Sequence, residues 1–357
     1  MERTLPLHLV ARSADGFSLY NSGDSAFVVN REVFLELRAE GVKVDRRFNN
    51  LVDWCKLYGA PHAIASRGHE LWVLAFDGVE QHLYSLEGNK KWKTRWTPAK
   101  FWAADSVVPF PPDRWLLASD TPGCRETMID DSFRMRRCEG GPRKAKTRLI
   151  VFGPNEPSSG TSLELPTACA EGLLNTNPIC PDQPSGAIYT FLNCISDNFL
   201  GIWHYPKDEP TLLRIPDDWT FNSMFDVVAA TDVVVAALWD EHHTQRMVRY
   251  DGQDTRLIPM PFSLRVNDIT SDPGGGRWMV GSNGHRGEVW YMSPDAQFER
   301  VVLPTGFNPM RLWARDQGDI WIAGAEGTTS VLYRSGGNET TVMEIQSKCP
   351  SYPWATP

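Results

Sequence analysis

The chain of 357 residues predicts an all-β protein, a β-propeller of about seven four-stranded blades, with eight as the other count. Three observations predict it. A short tryptophan-centred segment recurs at a fixed spacing of 43 residues, helical periodicity is scarce, and the 28 Gly and 26 Pro suit a fold made of many tight turns. The recurring segment is Glu70–Ala75 (ELWVLA), Asp113–Ala118 (DRWLLA), Gly276–Gly281 (GRWMVG) and Asp319–Gly324 (DIWIAG). Trp72 and Trp115 stand 43 residues apart, as do Trp278 and Trp321. Degenerate copies lie at Asp232–Ala236, Ser25–Val29 and Asn198–Ile202. A repeat of about 40–45 residues holding several short strands is the sequence signature of propeller blades.

The last unit shows its strands most clearly. Met310–Arg315 reads as the inner strand, Asp319–Ala325 as the second, Ser330–Arg334 as the third and Thr340–Ile345 as the outer one. Thr4–Ala11 competes with Thr340–Ile345 for that outer place. Asn50–Tyr58 is the one stretch with helical pattern. The gap between the second strands near 115 and 200 is filled by an insertion rather than by another blade. Residues 120–147 lack strand pattern and read as a loop, after which Arg148–Phe152 and Thr161–Leu165 complete the third blade. Residues 166–186 form a long connection, and the whole of 1–357 reads as a single domain. The equivalent tryptophans are expected to fill the wedge between blades, each burying roughly 150–250 Å².

Unit 268–306 (DITSDPGGGRWMVGSNGHRGEVWYMSPDAQFERVVLPTG) resembles a blade of the broad YVTN and streptogramin-lyase-like class of propellers. The likeness is one of repeat grammar and covers about five of the seven units. It implies the fold; such repeats serve enzymes, sensors and scaffolds alike.

Composition narrows the function classes. The net charge of −8 argues against non-specific binding to nucleic acid or anionic membrane. No apolar run matches a signal-peptide core or the ~18 residues of a membrane span, so a cytoplasmic location is expected. Seven cysteines without a CxxC pair read as free thiols and give no zinc ribbon; Cys124/Cys138 and Cys169/Cys180 are the pairs able to bridge a loop if oxidised. No GxSxG nucleophile, Walker loop or GxGxxG fingerprint is present, and no cofactor is implied.

Alternating strand direction puts every second-to-third loop of a propeller at one end, and that end is the expected site. Its loops are 77–81, the 120–147 insertion, 240–244, 283–287 and 326–329. Met135–Arg148 carries Arg136, Arg137, Arg143, Lys144, Lys146 and Arg148 against Glu139 alone, a local excess of five positive charges. Together with His242, His243 and Arg286 these residues point to a protein or peptide partner and a scaffolding role. The alternative is a metal- or acid–base-dependent lyase or hydrolase at the channel mouth. Its general acid–base pair would be His285 and Glu326, and its metal ligands His242, His243 and His285. Asn89–Lys100 (NKKWKTRWTPAK) reads as an outer strand with Trp92 and Trp96 on one side and Lys91, Lys93 and Arg95 on the other, which is no nucleic-acid platform.

Overall fold

A computed structural model describes residues 1–21, 25–30, 33–46, 48, 61, 63–76, 81–87, 92–96, 104–110, 114–119, 124–130, 133–138, 148–153, 160–163, 187–193, 198–204, 211–214, 221–230, 233–240, 245–250, 255–260, 265–284, 286–337 and 341–346. They fall into two compact units, Met1–Asn49 with Thr220–Ser347, and Asn50–Trp219 with Lys348–Pro357. The predicted helix at Asn50–Tyr58 and the connection 166–186 lie outside the described residues.

In the first unit the chain builds four antiparallel meanders. One runs Phe221–Ala230, Val233–Asp240, Gln245–Tyr250, Thr255–Ile258. The next is Arg265–Ser271, Arg277–Asn283, Arg286–Met292, Phe298–Val301. The third is Phe307–Ala314, Ile320–Glu326, Thr329–Ser335, and the fourth Ser18–Asn21, Ala26–Asn30, Val33–Arg38, Gly41–Val44. Their first strands neighbour one another in that order, which makes them inner strands. The second strands Ala26–Asn30, Arg277–Asn283 and Ile320–Glu326 are each buried over their first five residues. A strand covered on both faces reads as a continuous apolar run, and for that reason these segments carried the repeat.

At the outer place of the 307–335 sheet the N-terminal of the two competing segments is found. Leu7–Ser13 occupies it, antiparallel to Thr329–Ser335 from Leu7↔Ser335 to Ser13↔Ser330. The C-terminal segment is reduced to Met343–Glu344, parallel to Ala11–Arg12 and one position further out, where Arg12 and Glu344 form an ion pair. Six antiparallel residue pairs outweigh two parallel ones. Glu2–Arg3 adds a parallel fifth strand beside Phe298–Val301.

The second unit holds a four-stranded sheet, Ala63–Arg67, Glu70–Phe76, Gln81–Glu87, Lys93–Trp96. A second sheet is Ala104–Phe110, Arg114–Ser119, Arg148–Phe152, Thr161–Leu163. A third is Ala187–Asn193, Asn198–His204, Thr211–Arg214. A separate two-stranded hairpin, Cys124–Asp130 with Phe133–Cys138, makes the eighth sheet of the described residues.

The four repeat tryptophans are core residues, as expected, all buried to within 4%. Each also lies beneath an arginine: Arg3 on Trp278 at 5.1 Å, Arg334 on Trp321 at 4.5 Å, Arg67 on Trp115 at 4.9 Å and Arg95 on Trp72 at 5.7 Å. An acid anchors each guanidinium, namely Glu299, Asp319, Glu70 and Glu87. Stacked this way a cation contributes about 0.5–2 kcal/mol and keeps its charge paired. Arg95 therefore departs from strict alternation. A bulge between Thr94 and Trp96 interrupts the outer strand, and Arg95 turns onto Ser85, Glu87 and the Trp72 ring.

Candidate functional site

The second-to-third insertion is built at the edge of the 104–163 sheet. Arg114–Ser119 and Arg148–Phe152 pair directly, from Trp115↔Phe152 to Ser119↔Arg148, so everything between them leaves the sheet at one end. The expected loop is in fact a hairpin, with a bulge between Met128 and Asp130. Its strands, CRETMID and FRMRRC, are polar at most positions and lack the one-sided apolar pattern of a core strand. The register sets Arg125 opposite Arg137, Glu126 opposite Arg136 and Met128 opposite Arg134. Like charges directly opposite are destabilising in a ladder, and an anion between them reverses the sign. Arg125 and Arg134 thus join the basic residues found from sequence, having escaped it because the basic run was counted from Met135. Arg148 lies at the hairpin's root, its backbone opposite Ser119. Arg143, Lys144 and Lys146 lie outside the described residues.

The same register sets Cys124 opposite Cys138. Directly paired antiparallel residues have Cα atoms about 4.5–5.5 Å apart, within the span of a disulfide. Treatment of the folded protein with a mild oxidant such as diamide is expected to join these two thiols ahead of the other five cysteines. Alkylation and peptide mapping would report a Cys124–Cys138 linked peptide; random linkage among the seven would contradict the register.

In the first unit, Arg286 is exposed at the start of a third strand, opposite Asn283. The turn beside it rests on the next inner strand. A Cβ on Gly287 would stand 2.4 Å from Asn308 Oδ1 and 2.4 Å from Pro309 Cδ, so only glycine allows this approach. Glu326 ends a second strand and accepts a hydrogen bond from the Tyr333 hydroxyl at 2.5 Å. Tyr333 packs on Phe307 with ring centroids 4.8 Å apart. Burial, then the bond to Glu326 and its negative charge, push the Tyr333 phenol up to about 12. His242, His243 and His285 lie outside the described residues. Among the described residues no group of three His, Cys, Asp or Glu side chains is placed to hold a metal ion.

The Tyr333–Glu326 pair has a measurable consequence. The fold holds this phenol's proton to about 12, whereas a free tyrosine releases it near 10. More protons are then bound in the folded state between those values, and stability falls as pH rises through them. Burial pushes the Tyr20 phenol up to about 12 as well, so an alkaline titration followed by tyrosinate absorbance should show a late step of two phenols that shrinks to one in Tyr333→Phe. Glu326→Gln should move the Tyr333 part of that step downward without bringing it fully to 10, because burial is the larger cause.

No protein-family model matches the chain, and no curated protein matches it. Solved structures give the fold, which is that of the β-propeller proteins. The chain resembles streptogramin B lyase, with 11% identity over 92% of this chain and 97% of that one, at a TM-score of 0.57. It also resembles YCF48 bound to D1 peptide, with 12% identity over 94% and 96% of the two chains at a TM-score of 0.56. A third likeness is the β-propeller domain of the trilobed protease from Pyrococcus furiosus, with 10% identity over 93% and 96% at 0.56. The streptogramin-lyase-like character read from the repeat is thus borne out at the level of fold. These neighbours include a protein with a bound peptide and a lyase, so the fold alone selects neither activity. No helix among the described residues is long and apolar enough to cross a membrane.

Proposed function

We propose that residues 1–357 form one propeller domain that binds a peptide or protein without catalysing a reaction, as a recognition scaffold in the cytoplasm. The loop-rich end bearing the 120–147 insertion is its binding face. The observation that carries this reading is the hairpin register, which sets Arg125 opposite Arg137 on one face of the ribbon and Arg134 and Arg136 on the other, Arg136 opposite Glu126. A ribbon with this charge pattern gains stability from an acidic partner, and a rigid β-scaffold is a suitable mount for it. The solved propeller carrying a bound peptide supports the reading by example. Affinity capture from native lysate tests it, comparing wild type with a variant in which Arg134, Arg136 and Arg137 are replaced by Glu. A protein retained by wild type, eluted by moderate salt and absent from the variant is the expected result. Identical captured proteins from both would overturn it.

A further inference from the structure

We propose that Cys124 and Cys138 form a thiol–disulfide switch that sets how firmly the hairpin is paired, the disulfide state binding an acidic partner more tightly. This rests on the reading of the hairpin as the binding element and adds its regulation. The inference begins with the order of pairs along the register. Cys124↔Cys138 is the pair at the root, where both strands join the rest of the chain, and Arg125↔Arg137 is the next. A pair that can be tied covalently therefore stands directly beside a pair of like charges that pushes the strands apart.

Little else in the ladder opposes that push. Among the described residues the hairpin is a sheet of its own, with no third strand on either edge. Neither of its faces is continuously apolar. A lone two-stranded ribbon of this kind is marginally stable in water, so with free thiols its pairing is easily lost. Joining the sulfurs removes the separated arrangements of the two strands and leaves the paired one. Arg125 and Arg137 are then set on one face, and Arg134 and Arg136 on the other, before any ligand arrives. A preorganised set of donors binds more tightly than one that must be assembled. The coupling is reciprocal: an acidic partner that offsets the Arg125↔Arg137 repulsion also favours the paired strands, and so makes the disulfide harder to reduce by the same factor.

The step is an exchange with a low-molecular-weight disulfide. The thiolate of one cysteine attacks a sulfur of that reagent, forms a mixed disulfide and expels one small thiolate. The thiolate of the other cysteine then attacks the protein sulfur of the mixed disulfide and expels the second. Each cysteine gives up a proton, the pair loses two electrons and the reagent gains them. In the cytoplasmic location proposed above, thiols are kept reduced, so the untied form is the resting state and the tied form a transient one.

The test uses the full chain equilibrated at graded proportions of reduced and oxidised glutathione. A fluorescein-labelled decamer of glutamate is the probe, read by anisotropy, while alkylation and peptide mapping report the Cys124–Cys138 link. Wild type, the Cys124→Ser/Cys138→Ser variant and the Arg134→Glu/Arg136→Glu/Arg137→Glu variant are compared, each checked for a wild-type melting curve under reducing conditions. The expected result is saturable binding that tightens about tenfold as the link forms in wild type. It should stay at the weaker level in the serine variant throughout and be lost in the glutamate variant. Saturating probe should shift by the same factor the quotient of squared reduced over oxidised glutathione at which the link is half formed. Failure of the link to form, equal or weaker binding by the linked form, or tightening that persists in the serine variant would each overturn the inference and leave the hairpin reading standing. No binding in either state, or binding retained by the glutamate variant, would overturn the hairpin reading and the switch with it.

Discussion

Replacing residues 120–147 by an Asn-Gly turn is expected to give a protein that folds as well as wild type and no longer captures its partner. Ser119 and Arg148 are opposite each other, and a two-residue turn of this kind closes such a pair with the twist the strands require. The core beneath is untouched, since Trp115, Ile150 and Phe152 pack on Trp72, Leu74 and Leu83 of the neighbouring sheet. Each halving of a flexible loop recovers about 0.6 kcal/mol of closure entropy, so shortening a long insertion stabilises, if anything. Thermal melting measures the first half of the expectation and affinity capture the second. A variant that melts like wild type and still captures the same protein would remove the insertion from the binding face. A variant that melts far earlier would give the hairpin a structural role instead.

Asp319→Ala is expected to produce the largest loss of stability of any single carboxylate in the first unit, about 3–5 kcal/mol. Asp319 is buried and accepts from Arg334 Nε at 2.7 Å, Arg334 Nη2 at 2.9 Å and Arg315 Nε at 2.5 Å. Arg334 is buried too, lies over the Trp321 ring and donates to the Ala39 carbonyl of the neighbouring sheet at 2.6 Å. Removing the carboxylate takes two charge-assisted hydrogen bonds from a guanidinium buried away from water, and that loss is the main cost. Urea unfolding of Asp319→Ala, Arg334→Ala and the double variant separates the contributions. The double variant should lose markedly less than the sum of the singles, because both singles lose the same two hydrogen bonds. Additive losses, or a single loss below about 1 kcal/mol, would mean that the pair is not the fastener its geometry indicates.

How much of this was legible in the sequence follows from where each residue sits. Phe27, Val73, Met279 and Ile322 belong to second strands packed between sheets, and their apolar runs made the repeat visible. The outer strands hide themselves. Leu7–Ser13 and the segment ending at Ile345 are both short, and only a tertiary pairing more than 300 residues distant decides between them. The hairpin reads as a loop in the sequence because Cys124–Asp130 and Phe133–Cys138 show no apolar face, and cross-strand register cannot be seen from one strand. The arginine stacks are illegible in the sequence for a related reason. Arg3, Arg67, Arg95 and Arg334 stand at unlike distances along the chain from the tryptophans they cover. Met310 reads as an ordinary inner-strand residue, because the register shift that leaves it unpaired between Pro309↔Gly324 and Arg311↔Ala323 is a fact of two strands.

The position of Leu7–Ser13 bears on how the protein is made. This strand leaves the ribosome more than 300 residues before Thr329–Ser335, the strand it pairs with. At about 5–20 residues per second it waits tens of seconds with its hydrogen-bonding edges open. The sheet it completes is the last to become possible, and the pairing is about as non-local as this chain allows, a feature of slow folding. During that interval the nascent chain presents a bare strand of the kind to which chaperones and stray partners attach. A permuted gene in which Leu7–Ser13 follows residue 335 through a short linker would make the pairing local and shorten the exposure.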